Sequence, residues 1–517
     1  MKIERTKNTV RNLFFGVITK IYNIILPFLM RTALIYILGM QYIGLNSLFT
    51  SILSVLNLAE LGVGTAMTFS MYRPIAENDK SKICALMRLY KIYYRIIGAV
   101  ILSVGLLIIP ILPMLIKKDL PPDINLNVIY IINLLATVFT YWLFAYKNCL
   151  LYAHQRNDVT DKIGYIINTL KYILQILFLF VLKDYYIYII ISLLMNIISN
   201  ITTAIVVNKM YPEYKAVGKL PKEELKIINR RIRDLFTSKI GSVVVDSADT
   251  IVISSFLGLT ALALYQNYFF ILNTIYGFIT LITSSSLAGI GNSIIVESSQ
   301  KNYNDLKKFT FIFSWLSIFS VCCFLCLFQP FIELWVGKDS LLPFGMVIMF
   351  SAYFFIREIN AVLNVYKDAS GIWHKDRYRP LITAIVNLVL NIVMVNFWGL
   401  YGILLSTILS MLIVGMPWIT YNVFTEIFHC NPLKYILNIL FYVIICICCG
   451  AVCVWISSAI NFNNLIVTII LRLLVCIIIP NAIMFILYRK SLEFKSLVYM
   501  LDNITGNKIT ILKKLEN

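Results

Sequence analysis

Lys20, Arg31, Lys171, Lys239 and Arg357 each stand within a stretch of about twenty otherwise apolar residues, where a charged side chain costs from about 3 to more than about 10 kcal/mol according to its access to water. Each shares a helical face with amides, hydroxyls or tyrosines. Lys20 and Arg31 are eleven residues apart, which at 100° per residue returns to within about 20° of one face and separates them by about 16 Å. Asn168, Lys171 and Gln175 follow at steps of three and four, and Tyr353, Arg357, Asn360 and Asn364 at four, three and four. Such faces turn inward in a membrane protein. Guanidinium and ammonium groups match phosphate oxygens, so a cavity with more cations than anions suits an anionic, phosphate-bearing ligand. Neighbouring Asn57, Asn168 and Asn387 suit a hydroxyl-rich group such as a sugar. Other readings stay open: Lys20 and Lys239 lie near span ends and can snorkel, as can Arg95 and Arg472, while Arg357 can pair structurally with Glu358 or Glu60.

Acidic groups occur on the same kind of face. In "GLNSLFTSILSVLNLAELGVGTAMTFS" the residues Asn46, Thr50, Ser54, Asn57, Glu60, Gly64 and Thr68 run at steps of three or four, one polar face along a whole helix. The small residues suit helix packing, but Glu60 needs water, a cation or a proton. Counting from a shared Leu-Gly, Lys239 corresponds to Lys20 and Asp246 to Pro27, with Asp249 three residues further on. Glu60, Asp246 and Asp249 are candidates for proton or sodium coupling, and balancing the cationic face is the competing role.

These residues require long apolar helices to carry them. Of 517 residues 59% are hydrophobic and 14% charged, with mean hydropathy +0.81, the composition of an integral membrane protein. About fourteen spans are expected, at 11–38, 42–69, 85–110, 125–151, 163–182, 185–208, 236–257, 261–293, 309–330, 342–366, 380–397, 399–424, 433–457 and 465–488. The first has no small-residue cleavage site and reads as a retained helix. The net charge of +19 is unevenly placed: about 34 of the 45 Lys and Arg fall at the termini and in alternate loops, and about four (Lys117, Lys118, Lys183, Lys338) in the opposite loops. This asymmetry puts both termini in the cytoplasm. Scattered over short loops, the basic groups form no nucleic-acid-binding domain.

The chain also repeats itself. "RNLF" at Arg11 returns as "RDLF" at Arg233, "ILG" ending at Gly39 as "FLG" ending at Gly258, "AHQRND" around His154 as "WHKDRY" around His374, and "NTLKYILQI" from Asn168 as "NLVLNIVMV" from Asn387, all about 220 residues apart. The expected architecture is all-α. It has two six-helix bundles, 1–208 and 236–432, related by an axis along the membrane normal. Residues 209–235 form a basic cytoplasmic linker in which Leu225, Ile228, Ile232 and Leu235 mark an amphipathic helix on the inner leaflet. Residues 433–488 add helices 13 and 14, and 489–517 form a basic tail.

Catalysis finds little support. His154, His374 and His429 lie in loops without ligand partners, no glycine-rich nucleotide loop occurs, and the longest outer loops hold about fourteen residues, less than a membrane polymerase or ligase usually presents. Cys323 and Cys326 form a C-x-x-C without a second pair, and the eleven cysteines read as small apolar side chains. Neither an enzyme nor a metal cofactor is expected.

With the repeat, "ELGVG" at Glu60 to Gly64 and its echo "AGIG" at Ala288 to Gly291, the chain resembles polysaccharide flippases of the Wzx type. These belong to the multidrug/oligosaccharidyl-lipid/polysaccharide exporter superfamily, with the lipid II flippases and the multidrug and toxin extrusion transporters. The resemblance implies two bundles around a central cavity that opens alternately to each side of a bacterial cell membrane. It implies a substrate, an undecaprenyl-pyrophosphate-linked oligosaccharide, moved from the cytoplasmic to the outer leaflet for capsule or surface polysaccharide. Partners implied are membrane lipids, a polysaccharide polymerase and glycosyltransferases. In the lipid II branch an additional helix pair forms a lipid-facing groove, a role open to helices 13 and 14 beside simple bracing. The rivals are a lipid II flippase, a cation-coupled drug exporter, whose cavity would be dominated by acids, and a membrane polysaccharide polymerase.

Overall fold

The computed structural model describes the backbone of residues 5–504 and the side chains of 19–499 and 502, apart from those at 234, 237–239, 242 and 246. Every element among them is helical: α1 (Arg5–Ile37), α2 (Met40–Leu56), α3 (Val63–Ala76), α4 (Lys80–Ile108), α5 (Leu126–Trp142), α6 (Asn148–Ala153), α7 (Asn157–Leu182), α8 (Tyr185–Met210), α9 (Lys222–Leu257) and α10 (Leu259–Val296). Then come α11 (Ser299–Val336), α12 (Phe344–Ser370), α13 (Trp373–Asp376), α14 (Arg379–Trp398), α15 (Leu400–Ser410), α16 (Met416–Val423), α17 (Leu433–Ser458), α18 (Leu465–Tyr488) and α19 (Leu492–Ile504). Helices satisfy their own N–H and C=O groups, which lipid cannot do. Their free N-terminal donors are capped by polar side chains: Asp184 accepts from the Tyr186 N–H at 2.6 Å and Asn464 from the Ile466 N–H at 2.9 Å.

Twelve helices among the described residues are long and apolar enough to cross a membrane, and a thirteenth span is α5 and α6 taken together, bent by 43°. The sequence count of about fourteen differs at the seventh span, 236–257. That segment lies inside α9, which is absent from those twelve and holds several side chains outside the described set. The same helix revises the linker. Rather than a separate surface helix, residues from Lys222 onward run without interruption into the seventh span. They are held against α4 by the Lys82–Glu224 ion pair (2.6 Å) and the Tyr93 hydroxyl on Asn229 (2.5 Å).

The second correction concerns the polar face of 44–70. That segment is not one helix: a 3-10 turn, Asn57–Glu60, follows α2, and Gly62 at φ 86° starts α3. The left-handed conformation and the near contact of Gly62 with Leu235 and Ile232 of α9 both exclude a Cβ. The break ends the helical line of Asn46, Thr50 and Ser54 before Gly64 and Thr68, which belong to α3.

The chain forms two compact units whose boundaries differ from those of the sequence repeat: one holds 1–25, 264–379 and 404–517, the other 26–263 and 380–403. In the first, α11 is the centre, with α12, α17, α18 and α19 against it. There Cys322 and Cys326 of α11, Cys449 and Cys453 of α17 and Cys476 of α18 are buried, and the Cys476 thiol donates to the Cys322 carbonyl at 3.4 Å. Helices 13 and 14 thus match their sequence bounds to within a residue and pack on a seam of small thiols. In the second unit α4, α5, α8 and α7 pack in series, and α9 lies on α2. Polarity is arranged as lipid demands: Asn387 and Asn391 are fully buried while Phe180, Val181 and Ile478 are largely exposed.

Candidate functional site

In the first unit Lys20 and Arg357 converge on one turn of α10. The Arg357 guanidinium lies 3.7 Å from the ring centroid of Tyr276 and donates to the Asn273 side-chain oxygen at 2.7 Å. One residue on, a Cβ at Gly277 would come 2.5 Å from the Lys20 ammonium. Glycine leaves the space that the lysine head occupies. Tyr353, one turn before Arg357, puts a second ring 5.8 Å from the guanidinium. The Arg357 contacts named here, two aromatic faces and an amide oxygen, are neutral groups. The structural pairing of Arg357 with Glu358 is not formed: Glu358 is fully buried and neither of its oxygens has a hydrogen-bond partner. Asn273, Tyr276 and Gly277 escaped the sequence reading because they are ordinary residues of an apolar span, and only their placement against two cations marks them.

In the second unit α9 and α14 approach so closely that a Cβ on Gly241 would run into the Pro380 backbone. Further along the pair, the Asn391 amide donates to Asp249 at 2.6 Å and to the Asn387 side-chain oxygen at 3.2 Å. All three are buried, with exposures of 8% for Asp249 and 0% for both asparagines. The structure therefore joins Asp249 and Asn387, assigned above to different roles, into one polar cluster. The side chains of Lys239 and Asp246, also on α9, lie outside the described residues.

Glu60 and Asn57 belong to a third group at the α2–α3 break. Tyr94 donates to Glu60 at 3.2 Å, Tyr90 to Tyr94 at 2.6 Å, and Tyr141 to Asn57 at 3.0 Å. Tyr141 adjoins the break between α5 and α6, where Phe144 takes the left-handed conformation at φ 63°, so the two interrupted spans meet through hydroxyls. Arg31 is half-buried on α1, four residues after Pro27, which the helix accommodates. Lys171 lies 4.8 Å from the Tyr172 ring centroid, and Asn168 is half-buried one turn earlier. Gln175 of the same predicted face packs on α8, donating to the Tyr188 carbonyl at 2.9 Å and to Ser192 at 2.7 Å. Among the described residues no group of three or more His, Cys, Asp or Glu side chains is arranged to hold a metal ion.

No protein-family model and no curated protein matches the sequence. Solved structures do match. A lipid II flippase, MurJ, in an inward closed conformation superposes with a TM-score of 0.69 over 92% of this chain and 99% of its own, at 17% identity. An inward-facing multidrug resistance MATE family transporter of the MOP superfamily gives 0.60 over 78% and 93%, at 14%. A MOP superfamily transporter from Pyrococcus furiosus, described by the reversed polarity of its binding pocket, gives 0.52 over 81% and 95%, at 13%. The chain is a multi-pass, all-helical membrane protein with the fold shared by lipid flippases and multidrug transporters of the MOP superfamily.

Proposed function

We propose that this protein is a flippase for undecaprenyl-pyrophosphate-linked oligosaccharides, moving them to the outer leaflet during capsule or surface polysaccharide assembly. The observation that carries this reading is the convergence of Lys20 and Arg357 on the Asn273–Gly277 turn of α10. Guanidinium and ammonium groups match the oxygens of a diphosphate, the opposite of what a carrier of cationic drugs needs. Arg31, Lys171 and Lys239, with Asn57, Asn168 and Asn387, complete the proposed substrate set. The polyprenyl tail stays in lipid, so only the diphosphate and sugars need a polar path. Asp249, hydrogen-bonded to Asn391, offers a carboxylate for a sodium ion, and Glu60 and Asp246 are further coupling groups.

A second reading, transport of lipid II, is favoured by the length and quality of the MurJ superposition; both substrates present the same diphosphate. Purified protein in liposomes, supplied separately with a polyprenyl-diphosphate oligosaccharide and with lipid II, tests both readings. Flipping of the first alone, slowed about tenfold by Arg357→Ala, is expected. Flipping of lipid II alone would replace the first reading with the second, and transport of neither would remove both.

A further inference from the structure

At one end of the first unit, α19 lies over the start of α11 and the end of α10 and encloses a cleft of about 710 Å³. The helix is anchored by Phe494, whose ring lies 6.0 Å from that of Trp315 and 5.6 Å from that of Phe485. Its next face carries Leu492, Lys495 and Tyr499, at steps of three and four, and all three line the cleft. Leu492 is 79% and Tyr499 58% exposed. An ammonium group therefore stands between two uncovered apolar side chains. Across the cleft Lys308 is bound to Asp305 at 3.0 Å, with Phe309 and Ile312 beside it. Lys495 has no ion pair among the described residues, so the lining holds one positive charge in excess.

We infer that this cleft binds one anionic phospholipid, its phosphate on Lys495 beside Lys308 and its upper acyl chains over Leu492, Tyr499, Phe309 and Ile312. The volume is that of a small-ligand pocket, enough for a phosphoglycerol head and the first part of the chains, with the remainder in the bilayer. Charge selects the occupant: a lipid with one net negative charge neutralises the excess, whereas a zwitterionic lipid brings none. The location agrees with the sequence asymmetry of Lys and Arg, which assigns this end to the cytoplasmic leaflet, where anionic lipids attract basic groups. This inference does not depend on which substrate the protein moves.

Full-length protein is reconstituted in nanodiscs of equal parts phosphatidylglycerol and phosphatidylcholine, washed in detergent, and its retained lipid counted by mass spectrometry. Phosphatidylglycerol is expected to be retained about fivefold over phosphatidylcholine, the effect of one lysine at a membrane surface. Lys495→Glu should abolish the preference and Lys495→Arg preserve it, while Leu492→Ser should lower total retention and leave the preference unchanged. Equal retention of the two lipids by the unaltered protein would overturn the inference, as would an undiminished preference in Lys495→Glu. Displacement of the lipid by inorganic phosphate, or a dimer that Leu492→Ser dissociates, would assign the cleft to another occupant and overturn it equally.

Discussion

Asn391 on α14 donates its side-chain amide to Asp249 on α9 at 2.6 Å, and both groups are buried. A buried carboxylate that loses a donor bears a desolvation cost above the roughly 1–3 kcal/mol of a neutral group. Asn391→Leu should therefore lower the melting temperature in detergent. If the cluster binds sodium, sodium chloride should raise the melting temperature of the unaltered protein above its value in choline chloride. Asp249→Asn and Asn391→Leu should remove that difference, and equal melting in the two salts would reject the sodium assignment.

Gly277 faces the Lys20 ammonium with no room for a methyl group. Gly277→Ala should displace the lysine head and weaken the apparent affinity for lipid-linked diphosphate about fivefold, the loss of roughly 1 kcal/mol expected for one partly exposed ionic contact. Maximal flipping rate should change less than apparent affinity. An unchanged affinity in liposome transport assays would separate Lys20 from the substrate.

Tyr276 lies under the Arg357 guanidinium at 3.7 Å. Tyr276→Leu removes a cation–π contact worth roughly 0.5–2 kcal/mol, a loss of affinity of about two- to thirtyfold. Tyr276→Phe keeps the ring and should restore most of it. Equal effects of the two substitutions would show that the hydroxyl, not the ring face, is what matters.

Gly62 combines φ 86° with the nearness of Leu235 on α9. Gly62→Ala should destabilise the fold by about 1–2 kcal/mol through the left-handed conformation alone, with the contact adding to it. Thermal unfolding would record this, and Gly164→Ala, at a position with open space around it, should shift the transition far less.

Asp79 caps α4, accepting from the Lys82 N–H at 3.0 Å and from the Ser81 hydroxyl at 2.9 Å, and these bonds hold its carboxyl below the ordinary aspartate range. A lowered pKa stabilises the folded form above the unfolded-state value, and that contribution is lost as pH falls through the folded value. Hydrogen exchange at the first turn of α4 should accelerate below the ordinary aspartate range. In Asp79→Asn, whose cap does not ionise, this acid step should vanish.

Membrane class and the bounds of most spans were readable from composition and pattern. Hydrophobic runs of span length leave a long helix as the outcome that satisfies the backbone in lipid. Helices 433–457 and 465–488 came within a residue of α17 and α18 for that reason. The break at Asn57–Glu60 was not readable as such, because a steady three- and four-residue spacing assumes an unbroken helix. "ELGVG" held the signal: a glycine pair just after the carboxylate permits a left-handed turn, but only the packing of Leu235 and Ile232 shows that Gly62 takes it.

Apolar runs and helical spacing, both local properties of the chain, set the expectation that Lys20, Arg31, Lys171, Lys239 and Arg357 lie in spans and on polar faces. Which of them meet was decided by contacts between residues 84 to 257 positions apart, through α10 for Lys20 and Arg357 and through α9 and α14 for Asp249 and Asn387. Periodicity within a helix reports the direction of a side chain relative to its own axis. The identity of the helix that side chain faces depends on how closely two elements can approach: glycine at 241 lets the α9 and α14 backbones meet, and glycine at 277 leaves room for a lysine head.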